Sequence, residues 1–227
     1  MFSIIDETSD YWLINKPAGM SCHCDDDTPG VFELLKQQTD AKHIYPVHRL
    51  DKITSGLLLV AKSSASAELL NQQFRHHRIE KQYLALSAVK PKKKQGWVIG
   101  DMEKARRGQW KLNRSKINPA ASYFYSKALP GGQRLFLVKP YTGKTHQIRV
   151  ALKSVGSPIY GDPLYSHNPE ADRAYLHAFR IGFELEGDYR HYEVMPTGQQ
   201  VTTDWEALIA ESWPMTRLDF PVYPPRR

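Results

Sequence analysis

Cysteine is nearly missing from this sequence. Its only two, Cys22 and Cys24, are separated by one residue, too close for a useful bridge and too few for a disulfide framework. A reducing compartment fits that usage. Long apolar runs are missing too: no stretch approaches the roughly 20 residues that a membrane span needs. The start, Met1-Phe2-Ser3-Ile4-Ile5-Asp6, has no basic region followed by an apolar core, so a cytoplasmic location is expected. With His23 and Asp25 to Asp27 the cysteines sketch a metal site, but Cys-x-Cys is not a standard zinc spacing and no second pair exists. No metal is assigned. No repeat, low-complexity tract or long Pro/Ser/Gly linker divides the 227 residues, and the expectation is one domain over 1–227 that buries a core without staples.

Acidic charge is scarce in one place. From Lys90 to Lys116 there are ten Lys/Arg (Lys90, Lys92, Lys93, Lys94, Lys104, Arg106, Arg107, Lys111, Arg114, Lys116) against Asp101 and Glu103, a net +8. Taken from the chain's +7, this leaves −1 for the other 200 residues. A basic excess confined to one segment and interleaved with Trp97 and Trp110 is the footprint of a surface that receives a polyanion. A solvated basic loop is the other reading of such a run.

Three helices are signalled. Thr28-Pro29 reads as an N-cap with proline at the first helical position, leading into Val31, Leu34 and Leu35. Ser64 caps a second, with Ala67, Leu70 and Phe74 on one face. A third starts at Thr145 and carries Ile148, Leu152 and Val155 before Gly156 and Pro158 stop it. Short apolar or alternating runs predict strands at Tyr11 to Asn15, Leu57 to Ala61, Tyr83 to Ala88, Ser122 to Ala128, Leu135 to Pro140 and Phe179 to Leu185. Helices and strands do not alternate regularly, which favours a mixed α+β domain over a parallel βαβ sheet. The three prolines between Phe220 and Arg227 predict an extended arm.

Two polar clusters are dense in reactive side chains: His48-Arg49-Leu50-Asp51-Lys52-Ile53-Thr54-Ser55-Gly56 and Thr142-Gly143-Lys144-Thr145-His146-Gln147-Ile148-Arg149. The first runs into Leu57-Leu58-Leu59-Val60, a strand with the look of a buried one, so Asp51 stands at the rim of a core and needs a cationic or hydrogen-bonding partner. Arg149 is a candidate partner. Gly143-Lys144-Thr145 mimics the end of a Walker A loop, but Val138 stands where that motif needs glycine. His48-Arg49-Leu50-Asp51 mimics a kinase catalytic loop, but a leucine splits Arg from Asp and no Gly-rich loop precedes it. A glycosidase needs a second cooperating carboxylate, and neither cluster supplies one.

Across most of its length the sequence resembles the RluA family of pseudouridine synthases. The resemblance is carried by Asn15-Lys16-Pro17-Ala18-Gly19, His48 to Leu59, Lys81-Gln82-Tyr83, Thr142 to Arg149, Gly156 to Asp162 and Leu176-His177-Ala178, in that order. It implies a mixed, mostly antiparallel central sheet with flanking helices and a catalytic cleft. It also implies an RNA-modifying isomerase without metal or redox cofactor. By the same resemblance Asp51 acts on the target nucleotide, Arg149 pairs with Asp51 and keeps it ionised, and Tyr83 packs on the uracil, a stacking worth roughly 1–3 kcal/mol. Arg49 enters the RNA helix where the flipped base left, and His48 beside it is expected to contact the RNA. Lys144 and His146 meet phosphates, with His146 equally readable as a packed helix-start residue. Asp51 has its own bland alternative as a turn residue, and Tyr83 as a core aromatic.

One departure is Ala151, where many relatives carry histidine. No region precedes the first motif that is long enough for an S4-type RNA-binding domain. Grip on a compact rRNA or tRNA stem-loop is then expected from the catalytic domain itself, with Lys92, Lys93, Lys94, Arg106 and Arg107 as the candidates and the protein a monomer. The rival from another class is a silent RNA-binding protein on the same fold, which binds RNA but forms no product.

Overall fold

Every residue of the strand Ser55–Ala61 is buried, as a continuous apolar run covered on both faces requires. The structure, a computed structural model, describes residues 1–168, 170–196 and 218–223. It divides into two compact units, 1–81 with 177–195 and 82–176 with 196–227.

The first unit contains β1 (Ser3–Glu7), β2 (Tyr11–Lys16), α1 (Val31–Gln38), β3 (Tyr45–Pro46), β4 (Ser55–Ala61) and α2 (Ser64–Arg75). The chain leaves it along β5 (Glu80–Ser87). The second unit adds β6 (Gln95–Gly100), β7 (Met102–Lys104), β8 (Trp110–Leu112), β9 (Ala120–Ala128), β10 (Arg134–Pro140) and α3 (Gln147–Ser154). The chain returns in β11 (Leu176–Leu185) and turns into β12 (Asp188–Glu193).

In the first unit β1 pairs β2, β2 and β3 pair β4, and β12 pairs β11, all antiparallel, while β4 and β11 run parallel through Ser55 and Gly56 opposite His177 and Ala178. That close parallel contact explains a glycine. Gly56 has φ +106°, and a Cβ on it would lie 2.3 Å from the Ala178 carbonyl oxygen, so only glycine fits there. On one side of this sheet, Ala67 and Leu70 of α2 pack with Tyr11, Leu13, Leu57, Leu59, Ile181 and Phe183. Full burial of each such leucine contributes roughly 1.5–3 kcal/mol.

In the second unit β5, β10, β9 and β6 form an antiparallel sheet, and β7 and β8 form a separate two-stranded arm. Ile148, Ala151 and Leu152 of α3 pack on one face of the sheet against Ala85, Val98, Phe124, Phe136 and Val138. Ala151 therefore serves packing. Residues 218–223 have no regular structure and lie against Trp97, Tyr123, Tyr125 and Tyr141. Phe220 sits 5.2 Å from Tyr125, whose hydroxyl donates to the Asp219 carbonyl at 2.6 Å. The rest of the expected arm, 224–227, lies outside the described residues.

The α+β class and the mixed, mostly antiparallel pairing agree with expectation, with small shifts at helix starts. The first helix is capped at Gly30, whose N–H donates to the Glu33 carboxylate at 3.0 Å, because Thr28 is used in a bridge with Asp25. Ser63 rather than Ser64 caps α2, accepting from the Ser66 N–H at 3.0 Å. The third begins two residues later than Thr145, after His146 at φ +55°. The strands missed in the sequence are edge or very short ones. The polar edge strands β1 and β12 lack an apolar run, and β7 and β8, three residues each, hide in the basic segment.

Candidate active-site residues and their geometry

In the first unit the segment from His48 to Asp51 enters β4, and it is pinned at each step. His48 Nε2 accepts the Leu59 N–H at 2.9 Å, and its ring stacks on Phe74 at 4.8 Å. Burial, with the nearby Lys81 charge, lowers its pKa to about 3, so the ring is neutral at neutral pH. Leu50 is held at both ends by one thiol: its N–H reaches Cys22 Sγ at 3.4 Å, and that sulfur donates to its carbonyl at 3.3 Å. The Asp51 carbonyl then accepts the Thr54 N–H at 3.0 Å, closing a turn. These tethers fix the backbone on each side of the half-buried Asp51.

Beside this turn lies a cation that the first sequence motif contains but to which the sequence assigns no role. Lys16 is completely buried, and its Nζ donates to the carbonyls of Pro17 at 2.9 Å, Met20 at 2.8 Å and Lys52 at 3.3 Å. Burial pulls its pKa down to about 8, while the negative charge of Asp51 acts in the opposite direction. Lys16 thus ties the Pro17 to Met20 loop to the residue after Asp51 and places positive charge near that carboxylate. The signal available in sequence was a lysine ending the apolar strand Tyr11-Trp12-Leu13-Ile14-Asn15. His177 is likewise held inside the fold, with its Nδ1 and the Ser55 hydroxyl 2.9 Å apart and its Nε2 2.8 Å from the Val194 carbonyl.

In the sequence reading, His48 is paired with Arg49 as an RNA contact. Its acceptor nitrogen is used inside the fold, and a neutral ring offers no charge to a phosphate. Arg49 is exposed. Lys52 pairs with Asp25 at 2.7 Å on the surface.

In the second unit Arg149 is buried on α3 and forms a bidentate pair with the buried Asp162, Nε to Oδ2 at 2.7 Å and Nη2 to Oδ1 at 2.9 Å. Asp162 Oδ1 also accepts the N–H groups of Leu164 at 2.9 Å and Tyr165 at 3.2 Å. In the sequence Asp162 belongs to a motif without a role of its own; only folding brings it to Arg149. The loop before α3 is fixed by Gln147, which accepts from the Thr142 hydroxyl at 2.7 Å and the Lys144 N–H at 3.0 Å and donates to the Ala121 carbonyl at 3.0 Å. Lys144 Nζ reaches Asn118 at 2.9 Å. His146, partly exposed at the start of α3, shares a hydrogen bond of 3.0 Å with the Tyr165 hydroxyl. Tyr83, half-buried on β5, packs at the edge of the α3 core cluster.

The basic segment is not one stripe. Lys92, Lys93 and Lys94 form an exposed turn, where the Lys92 N–H donates to the Val155 carbonyl at 2.9 Å and Lys93 Nζ to the Trp97 carbonyl at 2.7 Å. Arg106 and Arg107 sit at the exposed tip of the β7–β8 arm, with Arg107 at φ +56° and Gly108 at φ +73°. A left-handed arginine costs about 1 kcal/mol, a strain that the tight turn at the tip carries.

A protein-family model described as RNA pseudouridylate synthase matches residues 10–154. The sequence is 48% identical to an uncharacterised RNA pseudouridine synthase of Haemophilus influenzae over 87% of this chain and 88% of that protein. It is 36% identical to the ribosomal large subunit pseudouridine synthase C of Rickettsia bellii over 78% of this chain, spanning 62% of that longer protein. Among solved structures, the human RNA pseudouridylate synthase domain containing 1 superposes with a TM-score of 0.74 at 23% identity, over 86% of this chain and 83% of that one, a likeness of fold.

Proposed function

This chain belongs to the family of RNA pseudouridylate synthases, and on that premise we propose that it isomerises specific uridines of a structured RNA with Asp51 as its catalytic carboxylate. The reaction is a migration within one nucleotide. The C1′–N1 bond breaks, the uracil turns while held, a C1′–C5 bond forms, and the hydrogen at C5 leaves as a proton while N1 gains one. Asp51 serves as a nucleophile toward C1′ or as a base toward the C2′ hydrogen, and both routes need an ionised carboxylate in a fixed position.

The observation that carries this reading is the pinned Asp51 turn, with tethers from His48, Leu50 and Thr54 and the buried Lys16 ammonium nearby. Arg149 and Tyr83 serve the same reaction, the first as the cation for Asp51 and the second as the stacking partner of uracil. Arg49, Lys144, Lys92 to Lys94, Arg106 and Arg107 meet the RNA, an rRNA or tRNA stem-loop. Residues 1–227 are one catalytic domain in this reading, in a monomer acting in the cytoplasm. Among the described residues no helix is long and apolar enough to cross a membrane.

RNA from cells lacking the gene, labelled with tritium at uridine C5, tests the chemistry, because forming the C1′–C5 bond releases the label to water. Asp51→Asn is expected to abolish release while keeping the melting temperature of the wild type. Wild-type release from that variant refutes the assignment. RNA binding by the wild type without any release refutes the enzyme reading and leaves a silent RNA-binding protein.

A further inference from the structure

Tyr165 is almost fully buried, yet neither its hydroxyl nor its ring serves a plain packing purpose. Its oxygen accepts the backbone N–H of Trp110, the first residue of β8, at 2.7 Å, and it also shares the 3.0 Å hydrogen bond with His146 Nδ1 at the start of α3. A second tie lies beside it, from Gln109 Nε2 to the Leu164 carbonyl at 2.8 Å. These two bonds dock the loop end of the β7–β8 arm, where Lys104 pairs Trp110, directly beside the tip that presents Arg106 and Arg107. The Tyr165 ring faces the opposite way in function: the Arg149 guanidinium carbon sits 5.0 Å from its centroid, and Lys153 Nζ sits 5.2 Å from it. Asp162 grips the same guanidinium in its plane, and its Oδ1 accepts the Tyr165 N–H. Planar grip by a carboxylate and an aromatic face fix an arginine in both position and tilt.

We propose that Tyr165 is a positioning residue with two separable contacts: its hydroxyl docks the arginine-tipped arm that holds RNA, and its ring orients Arg149. The inference rests on the reading of Arg106 and Arg107 as RNA contacts and goes beyond it, because it makes RNA grip and the setting of Arg149 depend on one side chain. A docked arm presents its two arginines already oriented. An undocked one must be ordered at the moment of binding, which weakens affinity.

The test uses single-turnover tritium release from the same C5-labelled cellular RNA with enzyme in excess, which separates the half-saturating enzyme concentration from the maximal rate. Tyr165→Phe removes the hydroxyl and keeps the ring. It loses two hydrogen bonds, to Trp110 and to His146. Loss of the arm's bond alone corresponds to a roughly fivefold rise in half-saturation, the same rise expected of Gln109→Ala, which leaves His146 untouched, and larger than any effect on the maximal rate. Its dependence on salt flattens in the direction produced by R106A/R107A. Adding Tyr165→Phe to R106A/R107A raises half-saturation no further, because the arm has no arginines left to present. Tyr165→Leu, which loses the ring as well, lowers the maximal rate in addition. Gln109→Ala, which cuts the second tie away from Arg149, reproduces the half-saturation effect and covers the case in which a Tyr165 variant folds poorly. Full additivity with R106A/R107A, or a Tyr165→Phe defect confined to the maximal rate, overturns the proposal. If R106A/R107A itself leaves half-saturation and salt slope at wild-type values, the reading of the arm as an RNA contact fails, and the inference fails with it. If R106A/R107A weakens binding while Tyr165→Phe and Gln109→Ala do not, only the docking inference is lost.

Discussion

Replacing His48 by glutamine takes away a titrating ring and keeps a hydrogen-bond acceptor, so the variant isolates the protonation of one side chain. In the fold the ring accepts the Leu59 N–H, and Lys81 adds positive charge nearby. Protonation turns the acceptor into a donor that faces another donor. The folded pKa, about 3, lies below the unfolded value near 6.5. As pH falls, the unfolded chain therefore takes up this proton first. The stability that depends on a neutral His48 is complete above about pH 6.5 and is lost as pH falls toward 3. At pH 4.5 the loss spans two pH units at about 1.4 kcal/mol each, or roughly 2–3 kcal/mol. Urea unfolding of wild type and His48→Gln at pH 7.5 and 4.5 measures it, and carboxylates that titrate in this window cancel in the difference. At pH 7.5 the variant is expected to be less stable by about 1 kcal/mol, for the lost stacking on Phe74. At pH 4.5 it should match or exceed the wild type. Equal acid losses in both proteins would refute a buried neutral His48.

Asp162→Asn takes the bidentate carboxylate from the buried Arg149 guanidinium, a loss of up to about 3–5 kcal/mol; a melting temperature near that of the wild type would contradict the bidentate pair. Arg107→Gly relieves a left-handed arginine, so thermal stability should hold or rise by up to about 1 kcal/mol while RNA affinity and its salt slope both fall. Loss of stability with unchanged affinity is the opposite result. Lys16, at about 8 in the fold against 10.5 unfolded, leads unfolding to take up a proton between those pH values. The cost of burying its charge is present below pH 8 and relieved as pH rises to 10.5. Relative to Lys16→Met, the wild type should gain about 3 kcal/mol over that interval in denaturant titrations, and parallel pH profiles would exclude a buried charged Lys16.

The order of the motifs placed Asp51 beside a buried strand, and the run Leu57-Leu58-Leu59-Val60 alone required that strand to be covered on both faces. Apolar periodicity located all three helices to within about two residues, because each rests on contacts made within a turn or two of chain. Tertiary structure decided the rest. His48 is a neutral acceptor because folding sets it against Leu59 and Phe74. Lys16 gained its role from carbonyls that include the sequence-distant Lys52, and Arg149 its partner from Asp162, thirteen residues away around a loop. The basic run Lys90 to Lys116 fixed the charge, and only pairing of β7 with β8 separated a lysine turn from an arginine-tipped arm docked on Tyr165. Local pattern reports burial and turn chemistry because those depend on near neighbours. Which polar group meets which is set by chain closure between remote segments, and that information is absent from any window of sequence.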